Sequence, residues 1–210
     1  MSFLQEHVLV LIPVIILIVI LGILIYKSPF KKGVTPQNTG NFPSQSGENL
    51  WKALNTQIVK LYEIGEYAEA GKIAHEALHA AKEIFGPNHT QVATSLNNLA
   101  ALYKAQGKLL DAEPLYKEAI SIWERTQGKE NPSVASALNN LGDVYYSLGK
   151  YNEASGLYEK SLSIFEKTLG KDHINVANVL DNMVELYKKT GNKDKAAILE
   201  EKAKAIRGRN

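Results

Sequence analysis

The first hydrophobic pattern in the chain is unbroken. From Val8 to Ile25 the run VLVLIPVIILIVILGILI holds eighteen residues without a charge. As a helix it spans roughly 27 Å, close to a hydrocarbon core of about 30 Å, so the pattern predicts one transmembrane helix over 8–26 that Tyr26 ends at the interface. Pro13 and Gly22 fit this reading, because membrane helices tolerate both where neighbouring groups re-satisfy the backbone. After it comes KSPFKKGVTPQNTGNFPSQSGE, residues 27–48, with no apolar period and much Pro, Gly, Ser, Asn and Gln, which predicts a flexible linker. From residue 49 to 210 the pattern changes to apolar positions three and four apart, the period of amphipathic helices.

Those helices repeat. Gly65, Gly107, Gly149 and Gly191 stand 42 residues apart, as do Ala70, Ala112, Ala154 and Ala196, so the unit occurs four times, over about 50–86, 92–128, 134–170 and 176–208. Residues 92–133 and 134–175 align without a gap and agree at 18 of 42 positions. In the third copy Leu138, Leu141, Val144, Tyr145 and Leu148 form one stripe, Gly149 ends that helix, and Ala154, Leu157, Tyr158, Ser161, Leu162 and Phe165 form a second. Each unit is therefore a helix hairpin, and Gly142 against Ala154 and Ala100 against Ala112 are expected where its two helices approach. A single hairpin leaves its outer stripe in water, whereas stacked copies share one core.

The series Leu138, Leu141, Gly142, Tyr145, Gly149, Ala154, Tyr158 resembles the tetratricopeptide repeat. The 42-residue period, with NPSVASALNNLGDVY and AEPLYKEA, is similar to the kinesin-light-chain subtype. The resemblance implies an all-α fold, a right-handed superhelix of four hairpins, here preceded by one transmembrane helix. Copy one departs at Gln57 and Ile58, and copy four at Met183, Val184 and Glu200, as capping repeats must where an outer face meets water.

In that family the first helix of each hairpin lines a concave groove that binds a peptide or partner protein. Carried over by position, the groove would present Asn97, Asn98, Ala101 and Lys104; Asn139, Asn140, Asp143 and Tyr146; and Asp181, Asn182, Glu185 and Lys188. Asn98, Asn140 and Asn182 form a ladder. A primary amide both donates and accepts, so the ladder can bond the backbone of an extended peptide or bond adjacent helices and hold the repeat geometry. Thr94, Ser136 and Asn178 stand where chaperone-tail binders carry the Lys and Arg of a carboxylate clamp, and Asp143, Asp181 and Glu185 stand in a groove that acidic-cargo binders keep basic. Neither ligand class transfers.

Composition narrows the function classes. Lys plus Arg number 24 and Asp plus Glu 22, a net charge of +2, which gives no basic field for nucleic acid. With no cysteine, disulfides, thiolate metal sites and cysteine nucleophiles are excluded. The charge is uneven: residues 188–210 carry 8 basic against 3 acidic side chains, a basic cap favourable to a helix C-terminus. Around the apolar run, Lys27, Lys31 and Lys32 follow it and no basic residue precedes it, which places the repeats on the cytoplasmic side; a domain facing the periplasm or a lumen, as an envelope or secretory assembly factor, is the alternative. MSFLQEH has no basic n-region and no small-residue cleavage pattern follows Ile25, so an anchor is expected rather than a signal peptide.

One motif carries enzyme chemistry. His75, Glu76 and His79 spell H-E-A-L-H, in which two histidines a helical turn apart ligate zinc and the glutamate activates water. Repeat alignment sets His75 over Lys117 and Glu159, and His79 over Ser121 and Ser163, which are surface positions, and Lys82 and Phe85 replace the glycine and third histidine of the extended motif. The expectation is a non-enzymatic, membrane-anchored scaffold with no cofactor or metal. Its partner would be a protein or peptide, held at a bilayer through 8–26, with neither nucleic acid nor a small-molecule substrate.

Overall fold

The computed structural model describes residues 45–209. The apolar segment 8–26 and the linker up to residue 44 lie outside the described residues. Among the described residues no helix is long and apolar enough to cross a membrane.

Eight helices follow one another: α1 (Gln45–Glu63), α2 (Tyr67–Phe85), α3 (Thr90–Ala105), α4 (Leu109–Gln127), α5 (Pro132–Ser147), α6 (Tyr151–Leu169), α7 (Ile174–Lys189) and α8 (Lys193–Arg207). Helix α1 starts four residues ahead of the boundary at 49. Each helix packs on the next, and α1 meets α3, α3 meets α5 and α5 meets α7, so the first helices of the four hairpins form their own layer. The described chain is an all-helical solenoid of four hairpins.

Local chemistry sets the breaks. At the end of α5, Gly149 takes φ 75, a left-handed turn that a side chain disfavours. The Gly149 amide then donates to Tyr146 O at 3.0 Å and the Lys150 amide to Tyr145 O at 2.8 Å, which satisfies carbonyls that the helix end would orphan. The starts of α3, α5 and α7 share one device. Asn131 Oδ1 accepts from the Ser133 amide at 2.8 Å, and at the equivalent positions His89 Nδ1 and His173 Nδ1 accept from Gln91 and Asn175 at 3.4 and 3.1 Å. The loop histidines are helix caps.

The core runs through the hairpins as overlapping apolar clusters, with Leu96, Leu99 and Leu102 of α3, Tyr116 and Ile122 of α4, and Leu180 and Leu186 of α7 fully buried. Each such side chain contributes about 1.5–3 kcal/mol relative to exposure. Within copy three, the ring of Tyr158 lies over Gly142: a Cβ built there would sit 2.5 Å from Tyr158 Cε1. The small residue therefore makes room for an aromatic ring. Size alternates across that contact. Copies two and three pair a small residue of the first helix with a tyrosine of the second, Ala100 with Tyr116 and Gly142 with Tyr158, whereas copy one reverses this with Ile58 and Ala74.

Candidate partner-binding groove

The groove residues sit on α3, α5 and α7, and the 42-residue repeat puts each in a fixed register with its neighbours. One position of every first helix holds Asn55, Asn97, Asn139 or Asp181, and the next holds Thr56, Asn98, Asn140 or Asn182. Amides bond across repeats with an offset of 43. Asn98 Nδ2 donates to Asn55 Oδ1 at 2.8 Å, and Asn182 Nδ2 donates to Asn139 Oδ1 at 3.0 Å. Two rungs of the ladder are thus spent on joining helices, which favours the geometric role for Asn98 and Asn182.

The middle rung differs. By the same register Asn140 should donate to Asn97, yet Asn97 Oδ1 is buried without a partner, while Asn140 lines a recess of about 170 Å³ with Ser136, Asn139, Asn175 and Asn178 above Phe165. A buried amide oxygen left unpaired costs about 1–3 kcal/mol, so this rung is the costly one.

Asp143 organises the other half of the site. Lys104 Nζ meets its Oδ2 at 2.7 Å, while Tyr158 Oη and Asn182 Nδ2 both donate to its Oδ1 at 2.9 Å. Four helices converge on one carboxylate, whose side chain is 27% exposed. Burial raises the Tyr158 phenol above its ordinary value, and the nearby Asp143 charge adds to the shift. Copy two lacks this hub because Ala101 occupies the equivalent position. The hydroxyl of Tyr116, equivalent to Tyr158, consequently has no partner and is buried. Burial first, and then the charge of Asp143, hold the Tyr116 phenol in its protonated form well above the usual range.

The remaining expected residues lie toward the C-terminal end. Asp181 is paired with Arg207 of α8, whose Nη1 reaches Asp181 Oδ1 at 3.2 Å and whose Nη2 reaches Asn178 Oδ1 at 3.2 Å. Glu185 lies 3.6 Å from Lys188, which is equally far from Glu200. Tyr146 is half-buried, its ring 5.6 Å from that of Tyr151. At the other end, Ile58, Val59, Tyr62, Asn98, Ala101 and Leu102 enclose an apolar recess of about 190 Å³ between α1 and α3. Val59 and Tyr62, 52% and 40% exposed, were not among the residues expected from sequence. Their signal was present in the register, since they stand one repeat before Ala101 and Lys104.

The basic C-terminal segment is largely paired: Lys188, Lys202, Lys204, Arg207 and Arg209 each meet a carboxylate. His75, Glu76 and His79 are exposed and border an open recess with Leu50, Leu54 and Ala80, and His75 Nε2 is 3.0 Å from Tyr103 Oη. Among the described residues no group of three or more His, Cys, Asp or Glu side chains is placed to hold a metal ion.

A stack of helix hairpins whose first helices line a shared face defines a class of repeat scaffold, and the comparisons identify the family. The tetratricopeptide-repeat model matches residues 58–125, 91–167 and 133–208, so the chain belongs to the tetratricopeptide-repeat family. Among solved structures it is similar to BtubC (BKLC) from P. vanneervenii at 28% identity and a TM-score of 0.69, over 80% of this chain and 66% of that one. The chain thus spans just under two thirds of that protein. A Podosopora anserina chain of nearly identical TPR-like repeats, of the kinesin-light-chain kind, matches at 18% identity and a TM-score of 0.52, over 79% of this chain and 98% of that one. No match was found among curated proteins.

Proposed function

We propose that this protein is a non-enzymatic scaffold that holds a protein partner in its groove and, through residues 8–26, recruits it to a membrane. The observation that carries the groove reading is the polar recess between α5 and α7. Asn140 makes no inter-repeat rung there and lines this open recess with Ser136, Asn139, Asn175 and Asn178. An open recess lined by amides offers a partner both hydrogen-bond donors and acceptors. The uncharged run of eighteen residues and the three lysines after it support an anchor with the repeats on the cytoplasmic side.

The test is a pull-down from solubilised membranes with the wild-type protein and with Asn140→Ala plus Tyr146→Ala, read by mass spectrometry. Neither residue joins the two interlocked rungs, so the fold is expected to persist. Partners lost only in the variant support the groove, and cytoplasmic partners support the orientation. Equal recovery refutes the groove; partners confined to the periplasm or a lumen refute the orientation.

A further inference from the structure

We propose that His75 and His79 form half of a zinc site, which a second copy of this chain completes by presenting the same pair, so that zinc joins two solenoids at their N-terminal edges.

The repeat explains why that edge is open. Leu50 of α1 occupies the position of Val92, Val134 and Val176, each at most 1% exposed because the preceding hairpin covers it; Val92 shares a cluster with Ala81 of α2, and Val176 shares one with Phe165 of α6. Among the described residues no hairpin precedes α1, and Leu50 is 54% exposed. Leu50 and Leu54 of α1 and Ala80 of α2 wall an open recess of about 430 Å³, whose remaining lining is His75, Glu76 and His79. Apolar surface left uncovered beside metal-ligating side chains suits a contact that buries both.

The metal chemistry follows from spacing. Residues four apart share one helix face with Cβ atoms about 5–6 Å apart, so two imidazoles in this arrangement can hold one ion. Tyr103 Oη lies 3.0 Å from His75 Nε2, a partner that orients the ring and leaves Nδ1 for the metal. A structural zinc takes four ligands, yet among the described residues no group of three or more His, Cys, Asp or Glu side chains is placed to hold an ion. One chain therefore falls short by two ligands, and a second copy of the pair supplies both. Four imidazoles in a tetrahedron suit zinc rather than magnesium or calcium, which prefer oxygen. A two-fold axis through the ion makes the contact self-complementary, with the apolar rims of the two recesses covering each other. Charge makes it depend on the ion. Each copy brings an exposed Glu76 to the edge, and two carboxylates brought together repel unless a divalent cation offsets them.

The experiment follows the protein mass of the purified full chain over a dilution series by size-exclusion chromatography with light scattering, in EDTA and in a slight excess of zinc, and counts bound zinc by elemental mass spectrometry. Variants are His75→Ala, His79→Ala and Leu50→Asp at the edge, with Ile198→Asp on α8 as a control, since Ile198 is 69% exposed at the other end of the solenoid. All four replace exposed residues, so the fold is expected to persist. Zinc should double the mass with one ion bound per two chains, and EDTA should reverse it. Each edge variant should raise the dimer dissociation constant about ten-fold or more, and Ile198→Asp should leave it unchanged. Zinc bound without a change in mass would be an adventitious ion only and would overturn the proposal. A dimer equally strong in EDTA, or one that survives both histidine substitutions, would overturn it too. Loss of the dimer in Ile198→Asp would overturn the edge-to-edge arrangement in favour of a head-to-tail contact.

Discussion

Tyr116 and Tyr158 are equivalent residues, one repeat apart, and removing the hydroxyl of each should move stability in opposite directions. Both side chains are fully buried, so Tyr→Phe leaves the ring packing intact. At Tyr158 the substitution deletes a 2.9 Å hydrogen bond to a carboxylate, a contact worth about 1.5–3 kcal/mol. Lys104 and Asn182 still satisfy Asp143, so no orphan is added and the net cost is about 2 kcal/mol. At Tyr116 the substitution removes a buried hydroxyl without a partner, whose desolvation costs about 1–3 kcal/mol, so it should stabilise by about 1 kcal/mol. In thermal unfolding followed by circular dichroism these correspond to a fall of about 4–8 °C for Tyr158→Phe and a rise of about 2–4 °C for Tyr116→Phe. Repeat arrays can unfold in parts, so the sign of each midpoint shift is the decisive quantity. Equal destabilisation by the two substitutions would refute the reasoning, because it would mean that Tyr116 has the acceptor its repeat lacks.

The same phenols predict an alkaline weakness. Burial raises both above the ordinary value of 10.0, so the folded state keeps protons that the unfolded state releases. Their contribution is fully present below about pH 10 and declines above it, by up to about 1.4 kcal/mol per pH unit for each phenol; urea midpoints of Tyr158→Phe should therefore fall less steeply above pH 10 than those of wild type. Gly142→Ala should destabilise by about 1–3 kcal/mol despite the better helix propensity of alanine, since its Cβ would press on the Tyr158 ring; unchanged thermal stability would show that the ring moves aside freely. His173→Ala should cost about 1 kcal/mol by removing the α7 cap, while His173→Asn should retain stability by copying Asn131, and equal losses in chemical denaturation would assign His173 another role.

The hairpin architecture was legible because it is written in periodic positions. A 42-residue spacing of Gly149 and its equivalents, with stripes such as Leu138, Leu141 and Tyr145, leaves little freedom for the backbone. The groove was legible in part, since the residues on its face follow from the same period. Their state was not, because hydrogen bonding depends on offsets between helices. Offsets of 43 and 39 residues join Asn139 to Asn182 and Lys104 to Asp143, and neither is visible until the first helices are placed side by side. Within the third hairpin Tyr158 meets Asp143, so Ala101 at the equivalent place in the second explains why Tyr116 is unpartnered. Gly142 taught a related lesson. A small residue in a stripe signals a close approach without naming the partner, and the Tyr158 ring lies nearest to Gly142. The capping by His89 and His173 is not announced by residue type, because a ring nitrogen stands in for the side-chain oxygen that Asn131 supplies.

The most direct measurement is site-specific photo-crosslinking in native membranes, with a photoreactive amino acid introduced at position 101 in the groove and, in parallel, at position 110 on the exposed side of α4. A discrete adduct with a partner protein from position 101, absent from position 110 and lost when Asn140→Ala is added, is the predicted result. Adducts from position 110 alone, or the same adducts from both positions, would contradict the assignment of the groove as the partner site.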